Sequence, residues 1–230
     1  MSEQETPRAT AVLLAAGVGR RLGADEPKAF LWIGGRPLVA LSAAAAAAAS
    51  SIGSLVVTVP EGMEDRAAEL LSDIEVPVRV ITGGSSRHES VALALAAVPE
   101  GVAVVVCHDA ARPFASPDLF DAVVEAIDEH VDGVIPVVPI ADTVKRVMAG
   151  RVVGTESRDD LALAQTPQAF RLDALRETHA RTQEASVAFT DDAGVLEWAG
   201  YRVAAVQGNP RNFKITTLLD LARAQARLEG

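Results

Sequence analysis

From Thr10 onward, short runs rich in Val, Ile and Leu alternate with longer stretches of helical pattern. That alternation constrains the fold of this 230-residue chain more than any other feature. Thr10 to Leu14 reads as a strand that stops at Gly17 and Gly19. Pro37 to Ser50 reads as a helix with Pro near its first turn, where a missing N–H is no loss. Its alanine run, Ala43 to Ala49, suits a helix because Ala gives up no side-chain entropy. Strands over Leu55 to Val59, Val76 to Ile81, Val102 to Cys107 and Gly133 to Val138 then alternate with helices over Met63 to Leu71, Arg87 to Val98 and Pro117 to Glu129. Val102 to Cys107 is apolar throughout, as expected of a strand buried on both faces. Parallel neighbours need crossover helices, so this order predicts an α/β fold: a Rossmann-like, doubly wound, mostly parallel sheet with helices on both sides.

The pattern breaks between Pro139 and Gln165. Thr143 to Val147 and Val152 to Thr155 are short β-like runs joined by Ala149-Gly150, which reads as a hairpin arm. Leu172 to Thr178 and Asp192 to Trp198 read as helices, Tyr201 to Val206 as a strand and Leu218 to Leu228 as a closing helix. With no repeat and no long Pro/Gly/Ser linker, the expectation is one domain, 1–230, carrying 139–165 as a projecting arm. Trp32 and Trp198 are expected in core or edge packing.

Composition narrows the function classes. The net charge is 21 − 31 = −10, which argues against a general nucleic-acid binder and requires that any anionic substrate be held by local cations. Hydrophobic content of 49% with 23% charged residues excludes a disordered chain. Cys107 is the one cysteine, so no internal disulfide forms, in keeping with a reducing compartment. The acidic start, Met1-Ser2-Glu3-Gln4-Glu5, is unlike a signal peptide. The apolar stretch from Leu38 to Val57 is interrupted by Ser42, Ser50, Ser51, Gly53 and Ser54, so it reads as helix then strand, not a membrane span. A cytoplasmic protein is expected. The basic residues are 18 Arg and only three Lys, at Lys28, Lys145 and Lys214. Arg and Lys differ in shape and hydration, so a Lys surviving such a bias points to a place where Arg does not serve.

In doubly wound folds ligands sit beyond the carboxyl ends of the strands, so the loops after strands carry the chemistry. Leu14-Ala15-Ala16-Gly17-Val18-Gly19-Arg20-Arg21 is glycine-rich and ends in two arginines, a composition for a phosphate cradle or simply for a tight strand-to-helix turn. It lacks the Gly-Lys-Ser/Thr of a P-loop, and Leu22 stands where a dinucleotide fingerprint needs its third glycine. Lys28 follows within ten residues, either as a solvated lysine or as a partner for charge on a transferring phosphoryl group. Gly83-Gly84-Ser85-Ser86-Arg87 opens a helix, where Ser85 or Ser86 can cap and the free N–H groups can receive an anion. His108-Asp109 ends the buried strand. Asp109 suits Mg²⁺ when phosphates and water complete the shell, or pairs locally with Arg112. A Ser/His/Asp triad is disfavoured, because adjacent strand residues point to opposite faces and no Gly-x-Ser-x-Gly elbow is present. Lys214 lies just before the last helix, where the dipole disfavours a cation unless a site needs it. Thr190-Asp191-Asp192 is read first as a helix cap.

Taken together and in order, these stretches resemble the 2-C-methyl-D-erythritol 4-phosphate cytidylyltransferase family. The resemblance is carried by Leu14 to Arg21, Pro27-Lys28, Gly83-Gly84 with Arg87 and Ser90, and His108-Asp109-Ala110-Ala111-Arg112-Pro113. It continues through Asp142-Thr143-Val144-Lys145, Arg158, Gln165-Thr166-Pro167-Gln168, Thr190-Asp191-Asp192-Ala193 and Lys214-Ile215-Thr216. Leu14 stands where many members have Pro, and Ala29 where many have Gln; both only flank contact residues.

The resemblance implies that Ala15, Ala16, Gly17, Gly83, Arg87 and Ser90 hold CTP. Arg21, Lys28 and Lys214 would be catalytic, stabilising charge on the triphosphate and at the α-phosphate, with Asp109 on Mg²⁺. Arg112, Thr143, Arg158, Thr166 and Thr190 would contact methylerythritol phosphate. The arm would exchange across a homodimer, so that Thr143 and Arg158 serve the partner's site. The implied reaction is direct transfer of CMP from CTP to 2-C-methyl-D-erythritol 4-phosphate with release of pyrophosphate, in non-mevalonate isoprenoid synthesis. No nucleic acid or membrane partner is expected, nor a fused second enzyme after Gly230. The rival readings are a cytidylyltransferase for another polyol phosphate such as ribitol 5-phosphate, an NAD(P)-binding Rossmann oxidoreductase, and a catalytically silent nucleotide-binding regulator.

Overall fold

A computed structural model describes residues 9–17, 26–185 and 189–229. The chain begins with β1 (Ala9–Leu14), then a 3-10 turn at Lys28–Phe30 and a small hairpin of β2 (Trp32–Ile33) and β3 (Arg36–Pro37). There follow α1 (Leu38–Ala47), β4 (Ile52–Val59), α2 (Glu64–Leu70), β5 (Val78–Thr82), α3 (Arg87–Ala97), β6 (Val104–Asp109), α4 (Pro117–Glu125) and β7 (Gly133–Pro139). The second part holds β8 (Lys145–Met148), β9 (Arg151–Thr155), β10 (Ala162–Ala164), β11 (Gln168–Arg171), α5 (Leu172–Ala185), α6 (Asp192–Trp198), β12 (Val203–Gln207) and α7 (Leu218–Glu229).

An eight-stranded sheet runs β5-β4-β1-β6-β11-β7, with β10 and β12 also on β7. The pairs β1–β4, β1–β6, β4–β5 and β7–β12 are parallel. The expected doubly wound sheet is therefore present, with one addition. β11 lies antiparallel to both β6 and β7, and β10 is antiparallel to β7. β10 meets residues 137–139 of β7 and β11 meets 133–134, so the two share one edge of β7 with Gln165-Thr166-Pro167 between them. The Thr166–Pro167 peptide bond is cis.

Strand alternation divides the core. Ala11, Leu13 and Val57 point to one face, where they meet the alanines of α1, Ala67 of α2 and Phe120 and Val123 of α4. Val12, Val56 and Cys107 point to the other, against Val91 and Leu95 of α3, Leu175 of α5 and Leu196 of α6. The small side chains of α1 let it lie close to the sheet, and Ser42 Oγ donates to the Ala110 carbonyl at 3.0 Å. Asp121 of α4 accepts from the backbone and hydroxyl of Ser51 at 2.9 and 2.6 Å, tying the end of α1 to α4.

Several expected boundaries shift. α4 stops at Glu125, with Ala126 as its C-cap, instead of reaching Glu129. α5 runs to Ala185, beyond Thr178. The first arm strand begins at Lys145 rather than Thr143. The hairpin itself is as expected: β8 and β9 form a two-stranded sheet, turning at Ala149 and Gly150, both at positive φ (46° and 76°). Neither tryptophan belongs to the core, since Trp32 is 51% and Trp198 42% exposed. Trp198 is an edge packer, meeting the Phe189 ring edge-on beneath the Arg181 guanidinium. Among the described residues no helix is long and apolar enough to cross a membrane.

Phe170 of β11 is fully buried, and its ring lies where a side chain on Gly133 would have to go. Phe170→Ala should cost about 3–5 kcal/mol. Urea denaturation should show a lower midpoint with an unchanged slope.

Candidate active site

Because β1, β4, β5 and β6 are parallel, their carboxyl ends open on one side of the sheet. The loops that leave them enclose a cleft of about 640 Å³. Ala15, Ala16, Gly17, Lys28, Gly83, Arg87, Ser90, Asp109 and Lys214 all line it. A smaller cleft of about 430 Å³, between α2 and β5, is lined by apolar residues with Glu64, Asp65 and Ser72 and offers no cation.

The glycine loops are shaped by close approach. A Cβ on Gly83 would collide with Ala16 Cβ and come within 3.0 Å of Ser90 Oγ. The Ala15 N–H donates to the Thr58 carbonyl at 2.9 Å, and the Gly83 N–H donates to Val59 at 2.7 Å. Ser86 is the cap of α3, accepting from the Glu89 N–H at 3.1 Å, while Glu89 accepts from the Ser85 N–H at 2.7 Å. Ser90 Oγ donates to the Ser86 carbonyl at 2.8 Å and accepts from the Gly84 N–H at 3.0 Å, so its hydroxyl braces the loop from beneath.

Asp109 is the electrostatic centre. It is 7% exposed, and three cations converge on it. Lys214 Nζ lies 2.7 Å from Oδ2, Arg87 Nε 3.6 Å from Oδ1 and Arg112 Nε 3.9 Å from Oδ2. Burial alone would raise its pKa. Lys214, then Arg87, then Arg112 override that penalty and hold the carboxyl well below the usual carboxylate range. Asp192, 2.7 Å from Arg87, is a second carboxylate in this cluster, so three cations face two carboxylates and a small local excess of positive charge remains, which suits an anionic ligand.

Lys214 is delivered by a locked segment. The Ile215 N–H donates to Ala111 at 2.8 Å, and the Ile215 side chain is fully buried. Asp220 Oδ2 then accepts from the backbone N–H and hydroxyl of both Thr216 (2.9 and 2.7 Å) and Thr217 (2.8 and 2.9 Å). The Asp220 N–H returns a bond to Thr217 Oγ1 at 3.2 Å, closing a capping box on α7. Burial opposes ionisation of Asp220, but the Thr216 and Thr217 bonds bring its pKa down to about 2.

His108 supports the floor. Its Nε2–H donates to the Arg112 carbonyl at 3.2 Å, which leaves Nδ1 to accept from the Thr166 hydroxyl at 3.0 Å. Thr166 Oγ1 in turn accepts from the Asp109 N–H at 3.0 Å. His108 and Asp109 thus act in different directions, and His108 is not part of a triad. Arg112 donates through Nη1 to the Asn212 carbonyl at 2.9 Å, and fully buried Asn212 donates to the Thr166 carbonyl at 2.8 Å.

The expected residues divide into groups. Nine of them, from the glycine loops, the two lysine positions and Asp109, meet in the cleft, as above. Arg112 and Thr166 stand against Asp109, and Thr166 is buried with its hydroxyl engaged by His108. Thr143 and Arg158 are exposed on the arm, where Arg158 donates to the Ala141 carbonyl. Thr190 is exposed at the start of α6. Neither the arm pair nor Thr190 lines this chain's cleft. Arg21 lies outside the described residues. Asp192, 1% exposed, whose Oδ2 is 2.7 Å from Arg87 Nη2, gained no individual reading from the sequence, and neither did Asp220, which holds the Lys214 segment. The capping pattern Thr190-Asp191-Asp192 hid Asp192, because Asp191 alone caps α6, accepting from the Gly194 N–H at 3.1 Å.

Burial pushes the His108 pKa down to about 4. The unfolded chain, with an ordinary histidine pKa near 6.5, therefore binds the extra proton first as pH falls. Stability should be full above about pH 6.5 and decline toward pH 4, with His88, also lowered by burial, adding in the same sense. His108→Gln keeps a donor for the Arg112 carbonyl and should flatten that decline in a pH series of thermal melts.

The model of the 2-C-methyl-D-erythritol 4-phosphate cytidylyltransferase family matches residues 9–230. A protein of that name from Frankia casuarinae is 44% identical over 97% of this chain and 82% of its own length. One from Corynebacterium diphtheriae is 41% identical over 95% of this chain and 93% of its own. Among solved structures, the cytidylyltransferase of Thermus thermophilus superposes with a TM-score of 0.80 at 33% identity, over 96% of this chain and 100% of that one. The 4-diphosphocytidyl-2C-methyl-D-erythritol synthase of Anaerococcus prevotii gives 0.86 at 28% identity, over 97% and 96% of the two chains. The match spans the glycine loops, the Asp109 cluster, the arm and the Lys214 segment together, and the chain belongs to the 2-C-methyl-D-erythritol 4-phosphate cytidylyltransferase family.

Proposed function

We propose that this chain transfers CMP from CTP to 2-C-methyl-D-erythritol 4-phosphate, giving 4-diphosphocytidyl-2-C-methyl-D-erythritol and pyrophosphate in the non-mevalonate isoprenoid pathway. The observation that carries this reading is the cation cluster on Asp109 beneath two glycine loops, in a member of this family. A phosphate oxygen of the acceptor attacks the α-phosphorus of CTP in line. The new P–O bond forms as the bond to the β-phosphate oxygen breaks, and pyrophosphate leaves with that electron pair. The attacking phosphate is already anionic at neutral pH, so no side chain need serve as nucleophile or base.

The protein's part is then positioning and charge stabilisation. Ala15, Ala16, Gly17, Gly83 and Ser90 form the narrow wall that receives CTP, and Arg87 stands beside them. Arg21 and Lys28 take charge on the triphosphate, and Lys214 takes charge at the α-phosphate. Asp109 has the chemistry of a magnesium ligand: it is ionised, it faces the cleft, and Mg²⁺ needs only one or two carboxylates when phosphates complete its shell. The absence of any cluster of three or more His, Cys, Asp or Glu among the described residues is compatible with that economy. When bound, Mg²⁺ would supply further charge neutralisation of the phosphates.

The chain is read as one domain, 1–230, acting in the cytoplasm as a homodimer through the arm at 139–165. Exposed Val147, Met148, Val152 and Val153 on the arm, and Leu163 beside it, support an interface there. Arg112, Thr166 and Thr190 would face the acceptor from the same chain, and Thr143 and Arg158 from the partner.

Pyrophosphate release with CTP and Mg²⁺ tests the reading. It should occur with methylerythritol 4-phosphate and not with ribitol 5-phosphate; the reverse result would move the enzyme to another pathway. Lys28→Ala and Lys214→Ala should each slow turnover by on the order of a hundredfold or more while the protein stays folded. Co-expression of Arg158→Ala with Lys214→Ala chains tests the shared site. Half of the dimers would be mixed and hold one intact site of two, restoring about a quarter of wild-type activity. Recovery of nothing would place Arg158 in its own chain's site.

A further inference from the structure

Behind Arg87 lies a group of buried ionisable side chains that the reaction leaves unused. Asp192, the first residue of α6, places Oδ2 2.7 Å from Arg87 Nη2 and Oδ1 3.5 Å from His179 Nε2. His179 is 3% exposed, and neither of its ring nitrogens has a hydrogen-bond partner among the described residues. Its ring stacks on that of His88, with centroids 4.1 Å apart and planes 12° from parallel. His88 Nε2 shares a hydrogen bond of 2.9 Å with the Thr182 hydroxyl. Three helices thus converge behind one wall of the cleft: α3 brings Arg87 and His88, α5 brings His179 and Thr182, and α6 brings Asp192.

Helix capping does not account for Asp192. Asp191 performs that task and also accepts from Gln168 Nε2 at 3.0 Å. Stability does not account for it either, because a buried ion pair seldom stabilises a fold more than well-packed apolar side chains of the same volume. What the contact does is orient. The guanidinium is a rigid planar fork. With Nη2 in ion-pair contact with Asp192 Oδ2, though neither atom is in hydrogen-bond geometry, and Nε turned to Asp109 at 3.6 Å, the guanidinium is fixed from two sides relative to the cleft that Arg87 lines. Both carboxylates are buried, and Asp192 is the closer, so it also keeps Arg87 from collapsing onto Asp109.

We propose that Asp192 is a positioning residue for CTP binding: it fixes the Arg87 guanidinium at the cleft wall, with His179 packed 3.5 Å from its second oxygen. This rests on reading the cleft as the CTP site. The role is invisible to ligand-contact reasoning, since Asp192 does not line the cleft and its contacts are Arg87, His179 and the buried Cys107 thiol. It predicts that Asp192 matters through Arg87 and not otherwise.

A double-mutant cycle read by CTP titration calorimetry tests this, using the whole chain as wild type, Asp192→Asn, Arg87→Ala and the double variant. Asp192→Asn should weaken CTP about tenfold in the presence of Arg87, the worth of one misplaced charge-assisted hydrogen bond. In the Arg87→Ala background it should change CTP affinity hardly at all. KM for CTP should rise with kcat held within a few-fold. Wild-type affinity in a folded Asp192→Asn protein would overturn the proposal, as would an equal loss in both backgrounds. Should Asp192→Asn fail to fold, Asp192→Glu retains the buried charge while displacing the guanidinium, and its loss must again vanish without Arg87. Failure of the wild type to bind CTP would instead overturn the reading of the cleft, a result distinct from either.

Discussion

An ionised carboxylate sunk almost out of water is stable only while cations surround it, and the active end of this protein is organised around meeting that demand for Asp109. No single element could do so. Arg87 comes from the start of α3, Arg112 from the turn after β6, and Lys214 from the segment before α7. Each must arrive within 4 Å of the same two oxygens. Parallel strands make this possible, because they release their following loops on one side of the sheet, so that residues distant in sequence meet at one depth.

The demand runs both ways. Cations gathered in one place repel each other and would be costly without the carboxylate between them. Asp109 therefore does more than serve as a candidate metal ligand, since it also keeps the three side chains together before any phosphate arrives. An incoming polyanion can then exchange partners with groups already in place, which lowers the cost of ordering them at the moment of binding. The −10 overall charge makes this local reserve the more necessary, because the protein as a whole repels a triphosphate.

Much of this was legible in the sequence, for reasons that differ by residue. Parallel strands have a strong signature in a single chain, since burial on both faces leaves continuous runs such as Val105 to Cys107. β10 and β11 have none. They are three and four residues long, they flank a polar segment, and only β6 and β7 on either side make Gln168 to Arg171 a strand. The scarcity of lysine directed attention to Lys28 and Lys214, and both line the cleft. The same argument gives nothing for Lys145, which is exposed on the arm and bonds to Thr155 Oγ1 at 2.5 Å. The Arg87–Asp192 pair could not be read at all, because the two residues are joined only by the packing of α3 against α5 and α6. Thr166 shows a subtler gap: the resemblance marks it as a site residue, but its place beside Asp109 and the commitment of its hydroxyl to His108 depend on three-dimensional neighbours.

The capping box on α7 has a consequence for how this protein can lose activity. One carboxylate oxygen of Asp220 gathers both threonines that follow Lys214 and Ile215. The first turn of the last helix and the segment carrying Lys214 therefore form one cooperative unit. Fraying of the carboxyl-terminal helix back to its first turn would release that lysine while leaving the sheet untouched. Damage confined to α7, far from the glycine loops in the sequence, can thus silence the enzyme without unfolding it.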